Sequence, residues 1–183
     1  MFPKLFMILL GCKPAGRHIE QHDVFFTINN SIEDTKEDVL SFWPEANGRV
    51  HMDAWRAVNT VDGYEVKVVP KAEARMNSQK LFFVNLGGYR QGEFDEPHYR
   101  LLIVAESLAA ASKKAKESAF YKHTGFSGAP SHIDDKYGVD VDDAFEISEI
   151  LPVELKDKYA IEITENAASA ADKFHLGYMP LYK

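Results

Sequence analysis

Glutamate, histidine and aspartate recur along this chain in one order: Glu20, His22, His51 and Asp53, then Glu96, His98, His132 and Asp134. Neutral imidazole nitrogen and carboxylate oxygen both donate lone pairs, so either set could ligate a divalent transition metal, with His22 and His98 the foremost ligand candidates. The same groups suit general acid–base catalysis near neutral pH. A structural role competes with both. Glu20 and His22 could tie a long loop to the backbone, and His51 and Asp53 could do the same at a strand end, because buried polar groups need partners whether or not they do chemistry. Spacing alone does not bring the four together.

Complete catalytic signatures are missing around them. His18-Ile19-Glu20-Gln21-His22 is not HExxH, since the glutamate sits one place late and the segment reads as loop where helical i, i+4 geometry is absent. His18-Ile19-Glu20 matches the H-x-E of zinc deaminases, but their P-C-x-x-C needs two cysteines and only Cys12 exists. Gly125-Phe126-Ser127-Gly128 has Ala129 where a nucleophile elbow needs glycine. No phosphate-cradling glycine motif occurs, and Gly11 and Gly87-Gly88 read simply as strand ends. Asp134, Asp135, Asp140, Asp142 and Asp143 form an acidic stretch without the EF-hand order, expected to be a solvated hairpin. Lys113, Lys114 and Lys116 read as the outer face of a helix. The sequence requires no cofactor and permits a divalent metal.

The elements that must position these residues repeat as well. Lys4, Leu5, Phe6, Leu10, Gly11, Gly16, Glu20, His22 and Ser31 recur 76 positions later as Lys80, Leu81, Phe82, Leu86, Gly87, Gly92, Glu96, His98 and Ser107. After an insertion near Thr124 to Gly128, an offset of 81 pairs His51 with His132, Asp53 with Asp134 and Asp62 with Asp143. The expectation is two copies of one module, residues 4–70 and 80–150, with a polar joint near Pro70 to Gln79 and a C-terminal extension, 151–183.

Leu5 to Leu10 and Leu81 to Leu86 are apolar runs ended by glycine, the pattern of buried strands. Val24 to Ile28 and Leu101 to Val104 are second strands, each reached through a polar loop. Ser31 and Ser107 stand at N-cap positions. In the first helix Ile32, Val39, Leu40 and Trp43 form an apolar stripe that ends at Pro44; in the second, Leu108, Ala111, Ala115 and Ala119 do so. Arg49 to Val58 and Tyr64 to Val69 are strand candidates turned by Asp62-Gly63, with equivalents at Ser131 to Val139 and Phe145 to Ile150. Tyr159 to Thr164 adds one strand. The fold class is α+β: a tandem ββαββ module, β-grasp-like or ferredoxin-like, with helices on one sheet face, or alternatively paired βαβββ units of the glyoxalase type.

Leu-Phe-x-x-x-Leu-Gly, Gly-x-x-x-Glu-x-His and His-x-Asp, each present twice, resemble the bacterial family catalogued as domain of unknown function 1543. The run Gly16 to Phe26, with His51-x-Asp53-x-Trp55, carries the resemblance most specifically, within roughly residues 4 to 150. The family has no assigned activity, so the resemblance implies no catalytic residues. Arg17, His18 and Trp55 become Glu93, Phe94 and Lys136 in the second copy, which would confine any function using them to the first half.

Composition narrows the classes further. Twenty-one Lys and Arg against 28 Asp and Glu give a net charge of -7, which opposes nucleic-acid binding. A lone cysteine excludes a disulfide framework and fits a reducing, cytoplasmic setting. The Leu5 to Leu10 run is too short for a signal-peptide core or a membrane span, and its interior repeat marks it as a strand. The expected function is a ligand-binding or protein-interaction module, with a small molecule or protein as partner and a homodimer compatible with exposed strand edges. The alternative is a metal-dependent or His/Glu acid–base enzyme at the repeated Glu-x-His positions.

Overall fold

In a computed structural model the described residues are 3–88, 94–123, 140–168 and 170–181. They form a mixed α/β protein with three sheets, and every strand pair is antiparallel. The chain divides into two compact units, Met1–Arg75 with Leu151–Lys183, and Met76–Ile150. No helix of the described residues is long and apolar enough to cross a membrane.

The first unit is built on β1 (Lys4–Cys12), flanked by β2 (Gln21–Asn29) and β3 (His51–Val58). The helix α1 (Lys36–Phe42) connects β2 to β3, so these two strands run parallel with β1 between them, a split β-α-β arrangement. Alternate residues of β1 sort to its two faces. Phe6, Ile8, Leu10 and Cys12 turn toward Val39 of α1, with Ile32, Leu40 and Trp43 completing the stripe. Pro44 follows at once and cannot continue the helix. A second sheet holds β4 (Thr60–Val61), β5 (Tyr64–Pro70) and β9 (Tyr159–Glu165). Asp62 and Gly63, both at positive φ (54° and 81°), make the β4–β5 turn. The strand β10 (His175–Pro180), which the sequence did not announce, pairs with the outer edge of β3.

The second unit repeats this pairing. β6 (Lys80–Gly87) lies between β7 (His98–Ala105) and β8 (Asp140–Glu146), and α2 (Leu108–His123) joins β7 to β8. Ser107 caps α2 by accepting the Ala110 N–H at 3.2 Å. Ala111 and Ala115 bury against Phe82, Val84 and Leu86, whereas Leu108 is exposed, a correction to the expected stripe. The expected strand from Phe145 to Ile150 is also corrected: β8 ends at Glu146 and Ile147–Ile150 form a short helix, α3, which buries Ile147. The strand expected over Ser131 to Val139 lies outside the described residues.

Candidate metal centre

The site begins at a glycine. Gly11 on β1 stands opposite His22 on β2 and opposite His51 on β3, so one row across the sheet reads His51, Gly11, His22. Cross-strand partners point to one face. Strands two apart are separated by about 9.6 Å, a span that two imidazoles can close from opposite sides if nothing stands between them. A Cβ on Gly11 would come 2.4 Å from Asp53 Oδ2 and 2.5 Å from His51 Nε2. Gly11 is therefore the floor on which the polar side chains meet, and more than the strand end it resembles in sequence.

Asp53 arrives through a β-bulge. Leu10 pairs with Met52 and Leu9 with Ala54, which leaves Asp53 as the extra residue on β3. The bulge reverses the alternation, so Met52, Trp55 and Ala57 all face the α1 side while His51 and Asp53 share the other face. Glu20, the residue before β2, completes the group.

Each imidazole touches both carboxylates. His22 Nε2 lies 3.3 Å from Asp53 Oδ2 and 3.7 Å from Glu20 Oε2; His51 Nε2 lies 3.3 Å from Asp53 Oδ1 and 3.1 Å from Glu20 Oε1. Charge-assisted N–H···O bonds cluster near about 2.7–2.9 Å, so most of these contacts are long for direct hydrogen bonds. Asp53 Oδ2 is buried without a hydrogen-bond partner among the described residues. A tetrahedral cation about 2.0–2.1 Å from each donor sets donor atoms roughly 3.3 Å apart, and the four imidazole–carboxylate distances here run from 3.1 to 3.7 Å.

The burial is graded across the site. The His51 side chain is 10% exposed and those of His22 and Glu20 are 38% and 43% exposed, so the cluster has a protein side and an open side. The ring of Tyr178 on β10 lies 4.4 Å from that of His51, and His175 stacks on Trp55 at 3.8 Å. Cys12 follows Gly11 but turns to the helix side, fully buried. Burial pushes its thiol up, opposed by the charge of Arg49 and reinforced by that of Glu20. It stays a neutral thiol, outside the donor set.

The sequence-predicted residues thus divide. Glu20, His22, His51 and Asp53 come together; His22 belongs to a strand, where the sequence suggested a loop. Glu96 and His98 meet Asp142, which the sequence placed in a solvated hairpin. His132 and Asp134 lie outside the described residues, and the β6–β8 register sets Asp140 opposite Gly87 and Asp142 in the bulge. Asp142 and the two glycines were missed; the signals were a glycine between two histidine strands and the spacing apolar-Asp-x-apolar in Met52 to Trp55 and Val141 to Ala144.

A cavity of about 470 Å3 lined by Leu5, Val58, Val66 and Val68 lies at the other end of β1, roughly 20 Å of strand from Gly11. It is not part of this polar cluster.

The class defined here is a mixed α/β protein with antiparallel sheets and a histidine–carboxylate cluster on a sheet face. A family model described as Domain of Unknown Function (DUF1543) matches residues 17–68, the segment that holds all four clustered residues. The fold is similar to that in the crystal structure of a protein Il1583 from Idiomarina loihiensis, at 21% sequence identity and a TM-score of 0.67 over 99% of each chain. No curated protein matches the chain.

Proposed function

We propose that this is a metal-binding protein whose first unit holds one divalent transition metal between Glu20, His22, His51 and Asp53. The observation that carries the reading is the donor geometry: two Nε2 atoms each lie 3.1–3.7 Å from both carboxylates, and one of those oxygens is buried without a hydrogen bond among the described residues. Two imidazoles with two carboxylates suit zinc, iron, nickel or cobalt better than calcium or magnesium. Four protein donors fill a tetrahedral shell, so a water or substrate oxygen would enter from the exposed Glu20 and His22 side as a fifth ligand, and a metal so bound would act as a Lewis acid. A metal-dependent reaction on a small oxygen-bearing substrate is the function this arrangement supports best.

The identical registers of β1 with β2 and β6 with β7, and the bulge at the same place opposite β1 and β6, support descent of both units from one module. A second reading, a ligand-binding module, rests on the apolar cavity beside Leu5 and Val66.

Elemental analysis of untagged protein by plasma mass spectrometry tests the proposal. About one equivalent of transition metal that disappears in His22→Ala is the expected result. Metal content unchanged by His22→Ala, or no metal taken up on incubation with zinc, iron, nickel or cobalt salts, would refute it.

A further inference from the structure

The second unit carries a related cluster with different donors. Gly87 on β6 faces His98 on β7, in the register by which Gly11 faces His22. The bulge in β8 presents Asp142, whose Oδ2 lies 3.2 Å from His98 Nε2 and would lie 2.3 Å from a Cβ on Gly87. Ligand atoms of Glu96, His98 and Asp142 all lie within 4.8 Å of one another. The glycine floor and the bulge are independent of the acidic side chains themselves, and both serve to bring a carboxylate over the strand. Across β6 from His98, the position that His51 holds in the first unit belongs to Asp140.

We infer that the second unit is a separate cation site with a harder preference than the first. One imidazole and two carboxylates form an oxygen-rich, anionic set. Such sets favour Mn2+ and Mg2+, whereas paired imidazoles favour Zn2+, Fe2+, Co2+ and Ni2+. A donor set with one imidazole in place of two shifts the cation preference on the same strand scaffold. The protein then handles two kinds of divalent cation, one in each unit.

The test uses the full chain, stripped by chelator, in two variants. Glu20→Gln/His22→Ala removes exposed ligands from the first unit, and His98→Ala/Asp142→Asn does so in the second; Asp142→Asn alone is the milder form, and circular dichroism checks each fold. Zn2+ and Mn2+ are titrated calorimetrically, with Mn2+ also followed by electron paramagnetic resonance. Glu20→Gln/His22→Ala is expected to bind one Mn2+, and its Zn2+-over-Mn2+ preference to be at least ~10-fold smaller than that of His98→Ala/Asp142→Asn. Mn2+ binding that survives loss of His98 and Asp142, absence of any cation in Glu20→Gln/His22→Ala, or equal preference in both variants would overturn the inference. Failure of the first-unit reading appears separately, as loss of Zn2+ binding in His98→Ala/Asp142→Asn.

Discussion

His22 and His51 stand on strands two apart and share one carboxylate, the Nε2 of each lying 3.3 Å from a different oxygen of Asp53. The sharing works because β1 between them offers only Gly11 at that row. Three features of the chain produce it together: a side-chain-free position, a histidine on each side and a bulge that delivers the aspartate.

Gly11→Ala should damage the site and spare the fold. The new Cβ would meet Asp53 Oδ2 and His51 Nε2, both at the ends of side chains that can swing away, and Gly11 has an ordinary negative φ. We expect metal affinity to fall by at least ~10-fold, the scale at which disturbed ligand orientation costs affinity. Stability of the metal-free protein should change by less than ~1 kcal/mol. Calorimetric titration with Zn2+ beside a urea melt separates the two, and an unaltered affinity would contradict the role given to Gly11.

Metal should stabilise the protein in a pH-dependent way. Free Zn2+ at 100 times its Kd should add ~2.7 kcal/mol to unfolding. The gain should shrink on acidification, since protons compete with metal for imidazole nitrogen and carboxylate oxygen. Thermal melts with and without Zn2+ at pH 7.5 and pH 5, repeated on His22→Ala, test this; a shift that persists in the variant would assign the metal elsewhere.

Tyr178 should act through His51. Its ring lies 4.4 Å from the imidazole, so Tyr178→Ala frees the ligand to rotate while Tyr178→Phe keeps the contact. A loss of ~10-fold in Zn2+ affinity for the alanine variant, restored by phenylalanine, is expected. Equal losses in both would point instead to the phenol oxygen.

Asp172 should matter for stability and leave metal binding alone. It is 3% exposed in its side chain, accepts the N–H groups of Asn59 and Thr60, and sits 3.9 Å from the guanidinium of Arg56. Burial already pulls the Arg56 pKa down, opposed by the charge of Asp172. Asp172→Ala leaves that cation uncompensated and should cost ~3–5 kcal/mol in urea denaturation, with the Zn2+ affinity unchanged.

The buried thiol gives a pH signature of its own. Because the folded pKa of Cys12 is raised, its contribution is fully present below the ordinary thiol value and is lost as pH rises through the folded value. Denaturation midpoints should fall in that alkaline window, and a thiol reagent at pH 8 should label Cys12 only after unfolding.

The parts legible in the sequence were those set by local pattern. Apolar runs ended by glycine gave β1 and β6, the stripe before Pro44 gave α1, and Asp62-Gly63 gave the β4–β5 turn. The polar beginnings of β2 and β7 read as loop because Gln21, His22, His98 and Arg100 lack strand alternation; the ladder with β1 and β6 makes them strand. The bulges were invisible for a related reason. An extra residue breaks period two, so Asp53 and Asp142 could not be assigned a face until their pairing was known. β10 carries exposed Leu176 and Tyr178 around Gly177, and its strand character comes from β3 alone.

Anomalous diffraction at the zinc edge, on crystals of the metal-loaded protein, tests the central claim most directly. The account predicts a peak above Gly11 about 2.0–2.1 Å from the Nε2 atoms of both His22 and His51, with oxygens of Asp53 and Glu20 at about 2.0–2.2 Å. A fully loaded crystal with no peak at that row, and the imidazoles hydrogen-bonded directly to the carboxylates, would contradict it.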